Sequence, residues 1–132
     1  MDVCWEEAVR RGDAGVIRDL LSRGIDPNAR DSHGQTGLML AAHGGHLAAV
    51  QLLVDHGVDL NVRAKYGLSA VMLAVIAGHK EIAQVLARAG ADLRPRGTGA
   101  PGFAGKTAAD LAGARGWNDL AIELAPDKPG IT

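Results

Sequence analysis

A 33-residue period constrains this chain more than any other feature. Residues 31–63 read DSHGQTGLMLAAHGGHLAAVQLLVDHGVDLNVR, and residues 64–96 read AKYGLSAVMLAVIAGHKEIAQVLARAGADLRPR. Gly34 recurs as Gly67, Met39 as Met72, Gly45 as Gly78, His46 as His79, Leu53 as Leu86 and Asp59 as Asp92. A strict period of this length is the signature of stacked helical repeats. Each unit is too small to bury its apolar face alone and depends on its neighbours.

The pattern extends to both sides. In residues 2–30, Ala8, Gly12, Leu20, Gly24, Asp26 and Asn28 hold the slots of Ala41, Gly45, Leu53, Gly57, Asp59 and Asn61, and Trp5 stands where Leu38 and Val71 stand. Glu7 replaces Leu40 and Leu73, and Asp19 replaces Leu52 and Val85. Such polar changes suit a terminal unit with one face toward water, and they place Met1 near a natural start. After Arg96 the register breaks, because Thr107 follows Ser69 by 38 residues. The extra residues fall within 97–104 (GTGAPGFA) and are expected to form an irregular projecting loop with Phe103 near its base. That loop is either a tolerated surface insertion or a binding finger. Residues 105–125 restore the pattern through Gly105, Thr107, Leu111, Ala112, Gly116, Leu120 and Leu124. Asp110 replaces Met39 and Met72 there, and Glu123 replaces Leu52 and Val85. Residues 126–132 are expected to be a frayed tail. The expected organisation is one domain over 1–125, with repeats at about 2–30, 31–63, 64–96 and 105–125.

Within the central units, Thr36 and Ser69 are placed to cap the first helices, expected over 37–44 and 70–77. Second helices are expected over 47–56 and 80–89, with Leu47, Val50, Leu53 and Val54 as the buried stripe. None is long enough to persist alone in water.

Asp31, Gly34, Thr36, Leu38, Ala41, Gly45, His46, Val50, Leu52, Leu53, Gly57, Asp59 and Asn61 match D-x-x-G-x-T-x-L-x-x-A…G-H…V…L-L…G-A-D-x-N, and so the unit resembles the ankyrin repeat. The resemblance implies an all-α solenoid of helix–turn–helix pairs with hairpin connections. It also implies a non-catalytic protein–protein interaction role across the concave face. In that family the imidazole at the slot of His46 and His79 ties the turn between helices, and Trp117 leaves this bond absent in the last unit.

Other functions find little support. Net charge is −1 and the sequence pI is near 6.5, so nothing draws the whole chain toward nucleic acid or an acidic membrane. No apolar run reaches membrane-helix length, and the N-terminus lacks the pattern of a secretory signal. One cysteine, Cys4, fits a reducing cytoplasm, and no partner for nucleophilic chemistry lies near it in sequence. His33 and His43 could share a face, but two imidazoles fall short of a typical zinc site, so no metal and no cofactor are expected. Asp26, Asp59 and Asp92 read as turn residues. The Ala-, Gly- and Arg-rich composition suggests a bacterial source.

Mapped onto the repeat, the hairpin tips and first-helix ends carry Arg10, Arg11, Arg30, Arg63, Lys65, Arg96, Lys106 and Arg115 among 14 lysines and arginines. Asp2 and Asp31 are the only acids expected nearby. The candidate partner-binding set is Arg30, His33, Gln35, His43, Arg63, Lys65, Tyr66, Leu68, Ile76, Arg96 and Lys106. Tyr66, Leu68 and Ile76 would be apolar anchors within a basic rim. The expected partner is another protein with an acidic patch, bound by a monomer, and an inhibitor or immunity-type role suits the small size. Nucleic-acid or phosphoinositide binding through the basic face is the alternative, as is an enzyme with an unrecognised site. Scarce aromatic groups weigh against the former.

Overall fold

The computed structural model describes residues 1–99 and 102–126. Four helix pairs follow one another: α1 (Val3–Arg11) with α2 (Ala14–Ser22), α3 (Gly37–Gly44) with α4 (Leu47–His56), α5 (Ala70–Ala77) with α6 (Lys80–Arg88), and α7 (Ala108–Ala114) with α8 (Asn118–Glu123). A short 3-10 turn, Lys65–Gly67, marks the tip of one connection. Among the described residues the β structure amounts to isolated bridges, Arg30 with Thr36 and Gly97 with Ala104. The molecule is therefore an all-α stack. Apart from Pro126, the tail at 126–132 lies outside the described residues, as do Ala100 and Pro101.

Local chemistry explains the helix boundaries. The hydroxyls of Thr36, Ser69 and Thr107 accept the backbone N–H groups of Met39, Met72 and Asp110, which satisfies orphan donors at the buried starts of α3, α5 and α7. Asp110 also accepts the Thr107 N–H at 3.0 Å, closing a reciprocal cap. Asp110 thus gives up the buried methionine slot for a capping role.

Position in the stack sets which faces are apolar. Residues 37–42 of α3 and 70–75 of α5 are buried on every side, since each helix is sandwiched between neighbours. The second helices bury one face only, through Ala49, Val50 and Leu53 in α4 and Ile82, Ala83 and Leu86 in α6. This corrects the expected stripe. Leu47 is 36% exposed and Val54 half-buried, while Ala49 faces inward beside Val50. The three inward positions lie at i, i+1 and i+4, a narrower face than the period alone implied. In α2, Leu21 is buried and Leu20, at the slot of Leu53, is only partly covered.

Trp5 fills the N-terminal end of the core, with no exposure. A Cβ on Gly37 would stand 2.9 Å from its Nε1, so glycine gives the indole room at a slot where Ala70 and Ala108 follow. The polar replacements on α1 and α2 face water in exposed ion pairs, Glu7 with Arg11 at 2.7 Å and Asp19 with Arg23 at 3.1 Å. At the other end, Glu123 reaches back to Arg88 on α6 at 2.9 Å and so joins two pairs. The first helices pack against one another more closely than the second helices do.

The hairpin edge as a candidate partner surface

The connections between pairs share one scheme. Asp31 N–H donates to Gln35 O, Ala64 N–H to Leu68 O and Gly97 N–H to Lys106 O, each at 2.9 Å. Gly34, Gly67 and Gly105 donate back to the carbonyls of Asp31, Ala64 and Gly97. The insertion therefore leaves the base of the hairpin intact. It enlarges the tip, so that the described residues 98, 99 and 102–104 stand where 32–33 and 65–66 stand. The described part is not a detached projection. Gly97 is buried, Thr98 N–H donates to Tyr66 O at 2.7 Å, and the Phe103 ring lies 6.3 Å from the Tyr66 ring.

A row of arginines stitches the hairpins together. Arg30 Nε donates to Gly34 O in its own hairpin, and its Nη2 to Arg63 O in the next. Arg63 repeats both bonds, to Gly67 O at 3.1 Å and Arg96 O at 2.9 Å. Arg96 closes the row on Gly105 O at 2.6 Å, with Asp110 3.9 Å away. The sequence expectation makes these side chains a ladder facing a partner; in the structure they also donate to hairpin carbonyls. Their acceptors are neutral carbonyls, so the row keeps its positive charge while losing its mobility.

At the helix–helix turns a second row crosses each boundary. His46 Nε2 bonds Arg10 O at 2.8 Å, and His79 Nε2 bonds His43 O at 3.2 Å. Each imidazole lies against the turn glycine of the preceding pair: a Cβ on Gly45 would come within 2.6 Å of the His79 ring. The bond expected to be missing at Trp117 is present, supplied instead by Arg115. Arg115 donates to Ile76 O at 2.7 Å, packs by Gly78, and lies 5.0 Å from the Trp117 ring. A third row holds the loops before the hairpins, with Asn28 accepting Asp59 N–H and Asn61 accepting Asp92 N–H. Asp26, Asp59 and Asp92 accept the N–H two residues on, as turn residues do.

The remaining candidates fall into two groups. Arg10, Asp31, His33, Gln35, Leu40, His43 and Gly44 line an open hollow of about 370 Å³ between the first and second pairs. Its floor is acidic. The Asp31 carboxylate is only 4% exposed, accepts the N–H groups of His33 and Gln35, and stands 3.6 Å from Arg10. The second group surrounds the enlarged tip: Lys65 over the Tyr66 ring at 5.0 Å, Tyr66 itself at 39% exposure, and exposed Lys106. Leu68 does not belong with them. It is 7% exposed and lies in the core just before the Ser69 cap, so it cannot act as a surface anchor. Ile76 is half-buried at the end of α5. Glu6, 3.7 Å from Arg10, and Asp110 also stand beside the basic edge, which is more balanced at its two ends than the sequence implied.

Sequence reasoning placed Arg115 on the basic edge but missed its bond to Ile76 O, and it missed the pairing of Phe103 with Tyr66. Neither has a counterpart one period away, so the repeat supplied no signal. Cys4 is exposed on α1. Among the described residues, no cluster of three or more histidines, cysteines or acids could hold a metal, and no helix is long and apolar enough to cross a membrane.

A stack of helix pairs, with successive hairpins tied together along one edge, is a repeat-built scaffold. The family described as ankyrin repeats (3 copies) matches residues 5–96, and the chain belongs to that family. The chain is 58% identical over 31 residues to a putative ankyrin repeat protein of Pyrobaculum aerophilum, covering 24% of this chain and 12% of the relative. It is 47% identical over 45 residues to ankyrin repeat domain-containing protein 29 of Homo sapiens, covering 33% of this chain and 15% of the relative. The matched segments are thus a small part of each relative's length. Ankyrin repeats generally mediate protein–protein interactions as non-catalytic scaffolds.

Proposed function

We propose that residues 1–125 act as one binding domain whose hairpin edge recognises an acidic or mixed acidic and apolar surface on another protein. The observation that carries this reading is the concentration of cations along one edge, with exposed Lys65 and Lys106 in no ion pair among the described residues. Arg30, Arg63 and Arg96 add a fixed positive row, and His33, Gln35 and His43 offer polar contacts in the adjoining hollow. Such an edge steers an acidic partner in and sets its register. Phosphate-bearing partners are less suited to the hollow, because the Asp31 carboxylate forms its floor. An inhibitor that covers another protein's acidic active-site rim is one form this function takes, in a reducing cytoplasm where Cys4 stays free.

Affinity capture from cells, comparing wild type with Lys65→Glu/Lys106→Glu, tests the reading. A captured protein should be lost on charge reversal and released by moderate salt, since exposed charges are screened beyond about 8–10 Å. A partner retained by the reversed variant would place recognition elsewhere. A captured oligonucleotide would favour the nucleic-acid alternative.

A further inference from the structure

The second of the three hairpins differs from the first in one respect that its neighbours explain. Tyr66 has φ of 63°, and no other non-glycine described residue has a positive φ. A bulky aromatic residue in the left-handed region costs on the order of 1 kcal/mol or more and persists only where its surroundings hold it. Here the Thr98 N–H holds the Tyr66 carbonyl at 2.7 Å, Phe103 packs against the ring, and Gly99 lies close to the ring edge. The enlarged tip therefore braces a strained tyrosine whose ring stays 39% exposed. Glycine or asparagine would turn this hairpin with less strain. The fold does not need an aromatic ring here.

The surroundings are cationic. The segments 63–80 and 93–109 contain no acidic residue, while Arg63, Lys65, Arg96 and Lys106 all belong to this hairpin and the next. Among the described residues, Asp110 is the one acid paired with this group, 3.9 Å from Arg96. We infer that Tyr66 and Phe103, ringed by Lys65, Arg63, Arg96 and Lys106, dock an extended acidic segment of a protein partner and receive an apolar or aromatic side chain beside the Tyr66 ring. The inference rests on the reading of the hairpin edge as a protein-binding surface, and it names the contact point and the partner chemistry. Exposed aromatic rings beside arginine and lysine make strong anchors, because a rigid apolar group is buried at small entropic cost within a rim that attracts charge. Lys65 lies over the ring at 5.0 Å and Phe103 meets it at a 48° tilt.

The test is a titration of the isotope-labelled protein, followed by two-dimensional NMR, with a short peptide alternating glutamate with phenylalanine and leucine. The controls are a polyglutamate peptide of equal length and single-stranded oligothymidylate. The inference expects the mixed peptide to shift the amide signals of Tyr66, Thr98, Phe103 and Lys106, and to bind more tightly than either control. Tyr66→Gly accepts the backbone conformation and should fold at least as stably, yet weaken the peptide by about tenfold or more. Tyr66→Phe should retain binding, and Phe103→Ala should weaken it. Undiminished binding to Tyr66→Gly overturns the inference, as does equal binding of polyglutamate, tighter binding of the oligonucleotide, or no shift with any probe. Shifts confined to His33, Gln35 and His43 would overturn this contact point while leaving the hairpin-edge reading intact. Shifts confined to α4 and α6 would overturn both.

Discussion

The boundary between the second and third helix pairs and the boundary between the third and fourth perform the same tasks with different residues. At the former, an arginine on its own hairpin's glycine carbonyl, an imidazole on a turn glycine and a loop asparagine each sit one period from their predecessors: Arg63, His79 and Asn61. At the latter, Arg96 reaches past an enlarged tip to Gly105, and Arg115 replaces the imidazole. Arg94 stands at the asparagine slot and pairs with its own Asp92 at 3.0 Å. What recurs is the bond to be satisfied: a carbonyl at the end of each first helix and a carbonyl at each hairpin. Buried or half-buried backbone groups need partners, and the chain supplies them from whichever side chain can reach.

The largest expected difference lies in the core. Leu53→Ala should cost about 2–5 kcal/mol, because the residue is wholly buried between three pairs and its loss leaves a cavity. Leu120→Ala removes an equally buried side chain, but from a pair with a neighbour on one side only among the described residues. It should cost less and broaden the urea transition, as the last pair begins to melt separately. Equal costs with unchanged slopes would show that the two boundaries couple their pairs equally.

A smaller effect probes the turn row. His79→Ala and Arg115→Ala should each cost about 1 kcal/mol, the typical worth of one hydrogen bond. The comparison sharpens if His79→Ala is the costlier, since its ring also fills the space above Gly45. An Arg115→Ala variant with native stability would mean that the last boundary does without this bond.

The smallest expected effect is on pH dependence. Hydrogen bonds from Arg94 hold the Asp92 carboxyl below the ordinary aspartate range. A depressed carboxylate contributes stability above its unfolded value, near pH 3.9, and that contribution disappears as pH falls through the folded value. Asp92→Asn should flatten the acid limb of the stability curve below about pH 4, slightly, because the pair is open to solvent. An unchanged acid limb would show that the pair adds nothing to folding.

Much of this was legible in the sequence where the period holds. The caps at Thr36 and Ser69, the extents of α3, α4 and α5, and the polar faces of the end pairs follow from residues that recur or depart at fixed slots. The spacing of Arg30, Arg63 and Arg96 was equally visible, but its meaning was not. An arginine on a hairpin reads as a surface charge until the carbonyl it meets is located in the next repeat. Leu68 misled for a related reason, because one step toward the cap moves a hairpin residue from rim to core. Tyr66 with Phe103, and Arg115 on Ile76, depend on an insertion and a substitution that occur once. A periodic pattern cannot forecast them.

The central claim is that the cations on one edge differ in what the fold needs of them: the arginines hold the hairpins as well as adding charge, whereas Lys65 and Lys106 are proposed to serve the partner alone. Urea unfolding of Arg63→Ala beside Lys65→Ala tests it most directly. Arg63→Ala loses its bonds to Gly67 O and Arg96 O and should lower stability by about 1–2 kcal/mol. Lys65→Ala, whose ammonium lies over an exposed ring, should stay within about 0.5 kcal/mol of wild type. Equal midpoints for both variants and the wild type would contradict the division and leave the arginines no role in holding the hairpins.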